Sequence, residues 1–278
     1  MRPMFEDSPE FRALLRGDPA ADLTRISLEI ARDAYPTLDA EACLARIEEL
    51  AARVRDRCVE GARPRQILGQ INWVLYVEEK YQGNRDDYYD PRNSYLNEVL
   101  QRRLGIPISL SVLYLAIADR IGLAMAGVNL PAHFLIRTGR GDGTIFVDPF
   151  HGGAVLDRRG CARRVQEVTG QEVDLTDGQL APCATSTIVA RLLRNLKAVY
   201  LRGQEFAPAL PILRRLAALS RDDPVERRDL GVACLHADRP GEALDHLRAY
   251  VEARPDAHDA LDVRALLRVA GREVAARN

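Results

Sequence analysis

Residues 88–123 read YYDPRNSYLNEVLQRRLGIPISLSVLYLAIADRIGL, and from Ile108 to Ile121 the chain is apolar on every face. Leu110, Val112, Leu113, Tyr114, Leu115 and Ile117 leave no polar stripe, the pattern of a helix buried all round. Pro107 suits the first turn of such a helix and Gly122 its end. Three strand-like pieces follow, at 124–130, 133–138 and 144–150, and the last two flank Gly139-Arg140-Gly141-Asp142-Gly143, a hairpin signal. A buried helix followed by an antiparallel meander predicts an α+β fold.

Upstream, residues 9 to about 80 read as helical, with Leu23, Ile26, Ile30 and Tyr35 near helical spacing and Ala42, Leu44, Ile47, Leu50 and Val54 after them. Thr37, after Pro36 and before Glu41, predicts a helix start. Trp73, Tyr76, Tyr81, Tyr88, Tyr89 and Tyr95 gather in a stretch broken by Gly83-Asn84 and Asp90-Pro91, which either walls a cleft or caps a core. Downstream, residues 190–275 are helical and repeat at a 34-residue offset: Leu196 with Leu230, Leu201 with Leu235, Ala209 with Ala243, Leu213 with Leu247. That is the period of the tetratricopeptide helix-turn-helix unit. Two units fall short of the roughly three that stand alone, so the array is expected to dock on the preceding domain.

The whole chain sets outer limits. Its 278 residues suffice for one large domain or two ordinary ones, and 39 Lys+Arg against 40 Asp+Glu leave a net charge of −1. No overall field therefore recruits nucleic acid or an anionic membrane. No apolar run spans a bilayer, and MRPMFEDSPEFRALL (1–15) lacks the apolar region of a signal peptide. Five scattered cysteines (Cys43, Cys58, Cys161, Cys183, Cys234) show no metal-type spacing and point to reduced thiols in the cytoplasm.

The chemistry concentrates in His133 and Asp148. A hairpin centred on Arg140-Gly141 sets them directly opposite on one sheet face, where a carboxylate can fix the imidazole tautomer and leave its other nitrogen as a base. A nucleophile would sit at the start of the buried helix, where the helix end stabilises a thiolate. Ser109 and Ser111 are the nearest hydroxyls; Ser109 is either that nucleophile or a first-turn cap, and Ser111 a packing residue. His151 could complete a metal triad, but an extended chain sends residues 148 and 151 to opposite faces, so no metal is expected, and no cofactor motif is present.

These stretches, with NLPAHFLIR (129–137) and FVDPFHGG (146–153), resemble the transglutaminase-like superfamily, and in particular its SirB-type members that carry tetratricopeptide repeats. The resemblance implies a transglutaminase-like (papain-like) core at 86–185, N-terminal helices at 1–85 and an all-α repeat array at 186–278. It implies a Cys, His, Asp set in which His133 and Asp148 match the base and its orienter. The superfamily Cys falls on Pro107, and no cysteine lies between Cys58 and Cys161. The expectation is a non-catalytic binding or scaffold protein taking a protein or peptide partner through its repeats. The alternative is a Ser109–His133–Asp148 hydrolase or acyl transferase acting on an amide or ester, because a hydroxyl needs a base and an oxyanion hole built around it.

Overall fold

The computed structural model describes residues 5–277, so residues 1–4 of the segment read against a signal peptide lie outside it. The chain divides into two compact units between Leu192 and Leu193. Unit one opens with α1 (Pro9–Leu15), α2 (Leu23–Arg32), α3 (Ala40–Arg57) and α4 (Pro64–Asn72), the last continuing as a π-helical turn, Trp73–Glu78. The start of α3 corrects the expectation at Thr37: Asp39 is the cap, its carboxylate accepting from the Ala42 N–H at 3.0 Å. β1 (Gln82–Gly83) pairs in parallel with β2 (Leu104–Gly105), on either side of α5 (Leu96–Arg102).

The apolar helix forms as α6 (Pro107–Arg120), and α2, α3, α4 and α5 all pack on it. This encirclement is why it has no polar stripe: every residue from Pro107 to Tyr114 is buried. The meander follows as β3 (Met125–Leu130), β4 (His133–Thr138), β5 (Ile145–Asp148) and a fourth strand, β6 (Ala154–Leu156), in sheet order. On one face Val128, Leu130, Leu135 and Phe146 meet Cys161 and Val165 of α7 (Arg158–Thr169).

Two local expectations are corrected. The β4–β5 register is Ile136↔Val147 and Thr138↔Ile145, so the residue opposite His133 would be Phe150 rather than Asp148. The turn carries a short 3-10 helix, Gly141–Gly143, which moves the hairpin centre by one residue and the register by two. A two-residue slip keeps the face, so His133 and Asp148 become diagonal neighbours. Second, β5 ends at Asp148 and the chain turns through a 3-10 helix, Pro149–His151.

Helix α8 (Thr185–Arg202) crosses the boundary into unit two, which contains α9 (Phe206–Leu219), α10 (Pro224–His236), α11 (Pro240–Ala253) and α12 (Ala260–Arg277). α9 and α11 begin and end 34 residues apart. Ala209, Ala243, Leu213 and Leu247 are fully buried at the positions the repeat matched. Gly231 lets α10 approach α11 closely, because a Cβ there would stand 2.8 Å from the Leu247 side chain. Glu226, buried on α10, accepts from Arg194 at 3.0 Å and Lys197 at 2.7 Å on α8. Among the described residues no helix is long and apolar enough to cross a membrane.

Candidate functional site

Asp148 is wholly buried at the end of β5, and three nitrogens converge on its Oδ2: His133 Nε2 at 3.0 Å, His151 Nδ1 at 2.7 Å and Arg164 Nε at 2.9 Å. The first contact is the expected one. The second follows from the turn after Asp148: extended chain would carry His151 away, whereas the 3-10 helix folds it back. The third comes from α7 and had no sequence signal. Burial raises the Asp148 pKa, but the hydrogen bonds from His133 and His151 outweigh it and hold the carboxyl well below the usual carboxylate range.

An ionised carboxylate only accepts, so both histidines must turn an N–H to it. That makes His133 the Nε2–H tautomer and His151 the Nδ1–H tautomer, leaving His133 Nδ1 and His151 Nε2 as lone-pair acceptors in the neutral rings. His133 is buried and His151 is partly exposed. The same three side chains put ligand atoms within 4.8 Å of one another, so the steric objection to a His133–Asp148–His151 metal triad is removed. The electrostatic one replaces it: a dication there would lie against the Arg164 guanidinium, which pairs with the same oxygen.

Ser109 is held elsewhere. It is the third residue of α6, and its Oγ accepts from the Ile106 N–H at 3.0 Å and donates to the Asn93 carbonyl at 2.5 Å. Ser111 Oγ donates to the Pro107 carbonyl at 2.7 Å. Neither hydroxyl bonds His133 among the described residues. Cys161 is the thiol in electrostatic reach of Asp148; burial, then the Asp157 and Asp148 charges, push its pKa up to about 12, and it packs inside the α7 core.

The tyrosine-rich segment does both things the sequence allowed. Tyr95 is buried in the core and Tyr81, also buried, lines a cleft with Tyr76, whereas Tyr88 and Tyr89 are exposed, Tyr88 lying edge-on to Phe150 at 6.3 Å. Asn93 pins this loop from inside: its Nδ2 donates to the Asp87 carbonyl at 2.7 Å and its Oδ1 accepts from Asn84 Nδ2 at 3.0 Å. Asn72, which the sequence gave no reason to single out, ties α6 to the loop after Asp148. It accepts from the Tyr114 hydroxyl at 3.0 Å and donates to the Gly153 carbonyl at 2.8 Å.

Beside the cluster is a cleft of ≈ 620 Å³, lined by Tyr76, Gln82, Gly83, Arg85, Phe150 and His151 among others. Burial pushes the Tyr76 phenol well above its ordinary pKa, and its buried oxygen has no hydrogen-bond partner among the described residues. A second cavity of ≈ 650 Å³, lined by Leu115, Met125 and Cys183 among others, contains no histidine or tyrosine.

Comparison with known proteins gives the chain its relatives. Residues 41–194 match the family model of the transglutaminase-like superfamily, and residues 196–268 that of the tetratricopeptide repeat. A UPF0162 protein of Xylella fastidiosa (strain Temecula1) is 37% identical over 254 residues, covering 90% of each chain. F-box only protein 21 of Pongo abelii is 45% identical over 139 residues, 47% of this chain and 21% of that one. The crystal structure of menin gives a TM-score of 0.42 at 13% identity, over 88% of this chain and 68% of that chain, too remote to bear on function.

Proposed function

The chain belongs to the transglutaminase-like superfamily, and on that premise we propose that it is a non-catalytic binding protein: the core keeps a peptidase-like cleft and the repeats hold a protein or peptide partner. The observation that carries this is the state of Ser109. Where the superfamily places a thiolate, this chain has Pro107 and Ile108, and the nearest hydroxyl is buried and engaged with two backbone groups. For Ser109 to act as nucleophile it must release both bonds, leaving the buried Ile106 N–H and Asn93 carbonyl unpaired, at about 1–3 kcal/mol for each group. The buried Cys161 thiol, within electrostatic reach of the carboxylate, is held protonated, which also argues against chemistry. Tetratricopeptide units are general protein-binding modules, which supports a partner in unit two. Five unpaired cysteines support a reducing, cytoplasmic setting.

A second reading, a Ser109–His133–Asp148 hydrolase or acyl transferase, rests on the 3.0 Å His133–Asp148 bond. One experiment separates the two. Folded wild type is treated with a fluorophosphonate probe and, separately, with p-nitrophenyl acetate. The binding reading expects no adduct on Ser109 and no turnover that depends on His133. A Ser109 adduct, or ester hydrolysis that disappears in His133→Ala, overturns it.

A further inference from the structure

Between the loop after α3 and the exposed face of α4 lies a notch of ≈ 390 Å³, lined by Arg57, Cys58, Val59, Ala62, Gln66 and Gly69 among others. Gly69 sits in the middle of α4. Glycine weakens a helix relative to alanine, and nothing within the chain requires it there: its φ is not positive, and a Cβ at this position would meet no atom within 4 Å. The missing side chain keeps the notch open. Further along the same helix face come Trp73 and Val77, 45% and 43% exposed, and Val59 in the loop is 70% exposed.

Trp73 is held in one orientation. Its Nε1 donates to Glu78 at 2.9 Å, and the Arg57 guanidinium lies over the ring, 5.3 Å from its centroid, while donating to Glu78 at 2.8 Å and to Gln70 at 3.1 Å. A fixed, exposed indole beside an open apolar notch is the anatomy of a binding hot spot, with the ordering of the side chain already complete before a partner arrives. Charge selects the partner. Arg63 and Arg65, exposed at the start of α4, have no carboxylate within ion-pair distance among the described residues. Around the notch Arg57, Arg63 and Arg65 outnumber Glu60 and Glu78. A second copy of the chain would set this positive excess against itself, whereas acidic side chains complement it.

We propose that this face of α4 docks an acidic amphipathic helix of a partner protein. One apolar side chain enters the notch beside Gly69, those one and two turns further on lie against Trp73 and Val77, and Asp or Glu on the flanks of the helix meet Arg63 and Arg65. A helix is the fitting shape because positions 69, 73 and 77 repeat at the spacing of i, i+4 and i+7 anchors. The surface uses no residue of the Asp148 cluster or of the repeats, so the proposal does not depend on whether Ser109 reacts.

The test uses the full chain and a displayed library of helical peptides, with apolar residues at i, i+4 and i+7 and every polar or charged residue allowed elsewhere. Enriched peptides are synthesised with a fluorescent label and titrated by anisotropy. Asp and Glu are expected to dominate their flanks, and affinity to fall as salt is raised. Gly69→Leu fills the notch at a solvent-facing helix position, so it is expected to keep the melting temperature and weaken binding about tenfold. Trp73→Ala is expected to weaken binding about tenfold, and Arg63→Glu with Arg65→Glu about fivefold. Bound peptide is also expected to slow iodoacetamide labelling of Cys58, read by mass spectrometry, and to leave that of Cys43 unchanged. Failure to enrich any peptide, flanks rich in Lys and Arg, Cys58 labelled at the unbound rate, or binders indifferent to Gly69→Leu and Trp73→Ala overturn the proposal. A dimer in sedimentation that Trp73→Ala dissolves overturns it in favour of a second copy.

Discussion

Asp148 is the residue on which the site depends, because two histidines and an arginine all meet one oxygen of this buried carboxylate. Its folded-state pKa is depressed, so its contribution is present above the unfolded carboxyl value of about 3.9 and is lost as pH falls through the lower folded value. Wild type should therefore lose stability as the pH drops below about 4. Asp148→Asn should be about 3 kcal/mol less stable at neutral pH, since it removes the buried charge that His133, His151 and Arg164 share, and should show a shallower acid limb. Urea melts at pH 7 and pH 3 check both, and an unchanged acid slope would contradict the assignment. For Ser109 the expectation is structural: Ser109→Ala should cost about 1–2 kcal/mol by uncapping α6, read in the same melts.

At the scale of elements, contacts between segments distant in sequence hold the site. Gly153 has φ +73°, and a Cβ there would fall 2.0 Å from Asn72 Oδ1. Gly153→Ala must therefore both strain the turn and break the Asn72 link to α6, with an expected loss of about 3 kcal/mol in thermal melts. In unit two, Glu226→Gln removes the charge that Arg194 and Lys197 share across α8 and α10, and should cost about 2 kcal/mol, measured by helical circular dichroism on heating. These elements were unequally legible. The apolar run at 108–121 could only be a helix enclosed by others, and the 34-residue period fixed α9 and α11. The capping of α3 by Asp39, the register of β4 on β5 and the end of β5 at Asp148 are not legible in the sequence. Turn geometry settles each of these, and a turn's residues permit several geometries.

For the whole molecule, charge is balanced and locally consumed. The net charge is −1, and most of the arginines with resolved partners sit in pairs with Asp or Glu, as Arg46, Arg53 and Arg103 do around buried Glu79. A fluorescently labelled DNA duplex is accordingly expected to show no anisotropy rise at physiological salt with about 10 µM protein.

What the sequence determined by itself was periodicity: one enclosed helix, a meander after it, helices before it, a 34-residue repeat behind it, and a His and an Asp on one strand face. Each follows from residue spacing along the chain, which survives small errors of register because the face of a strand repeats every two residues. Only the tertiary structure decided what surrounds Asp148. His151 arrives through a 3-10 turn, Arg164 from a helix beyond the sheet, and Ser109 is taken up by Asn93, sixteen residues away in the chain. A carboxylate's partners are chosen by distance and desolvation in three dimensions, and no spacing in the sequence encodes either.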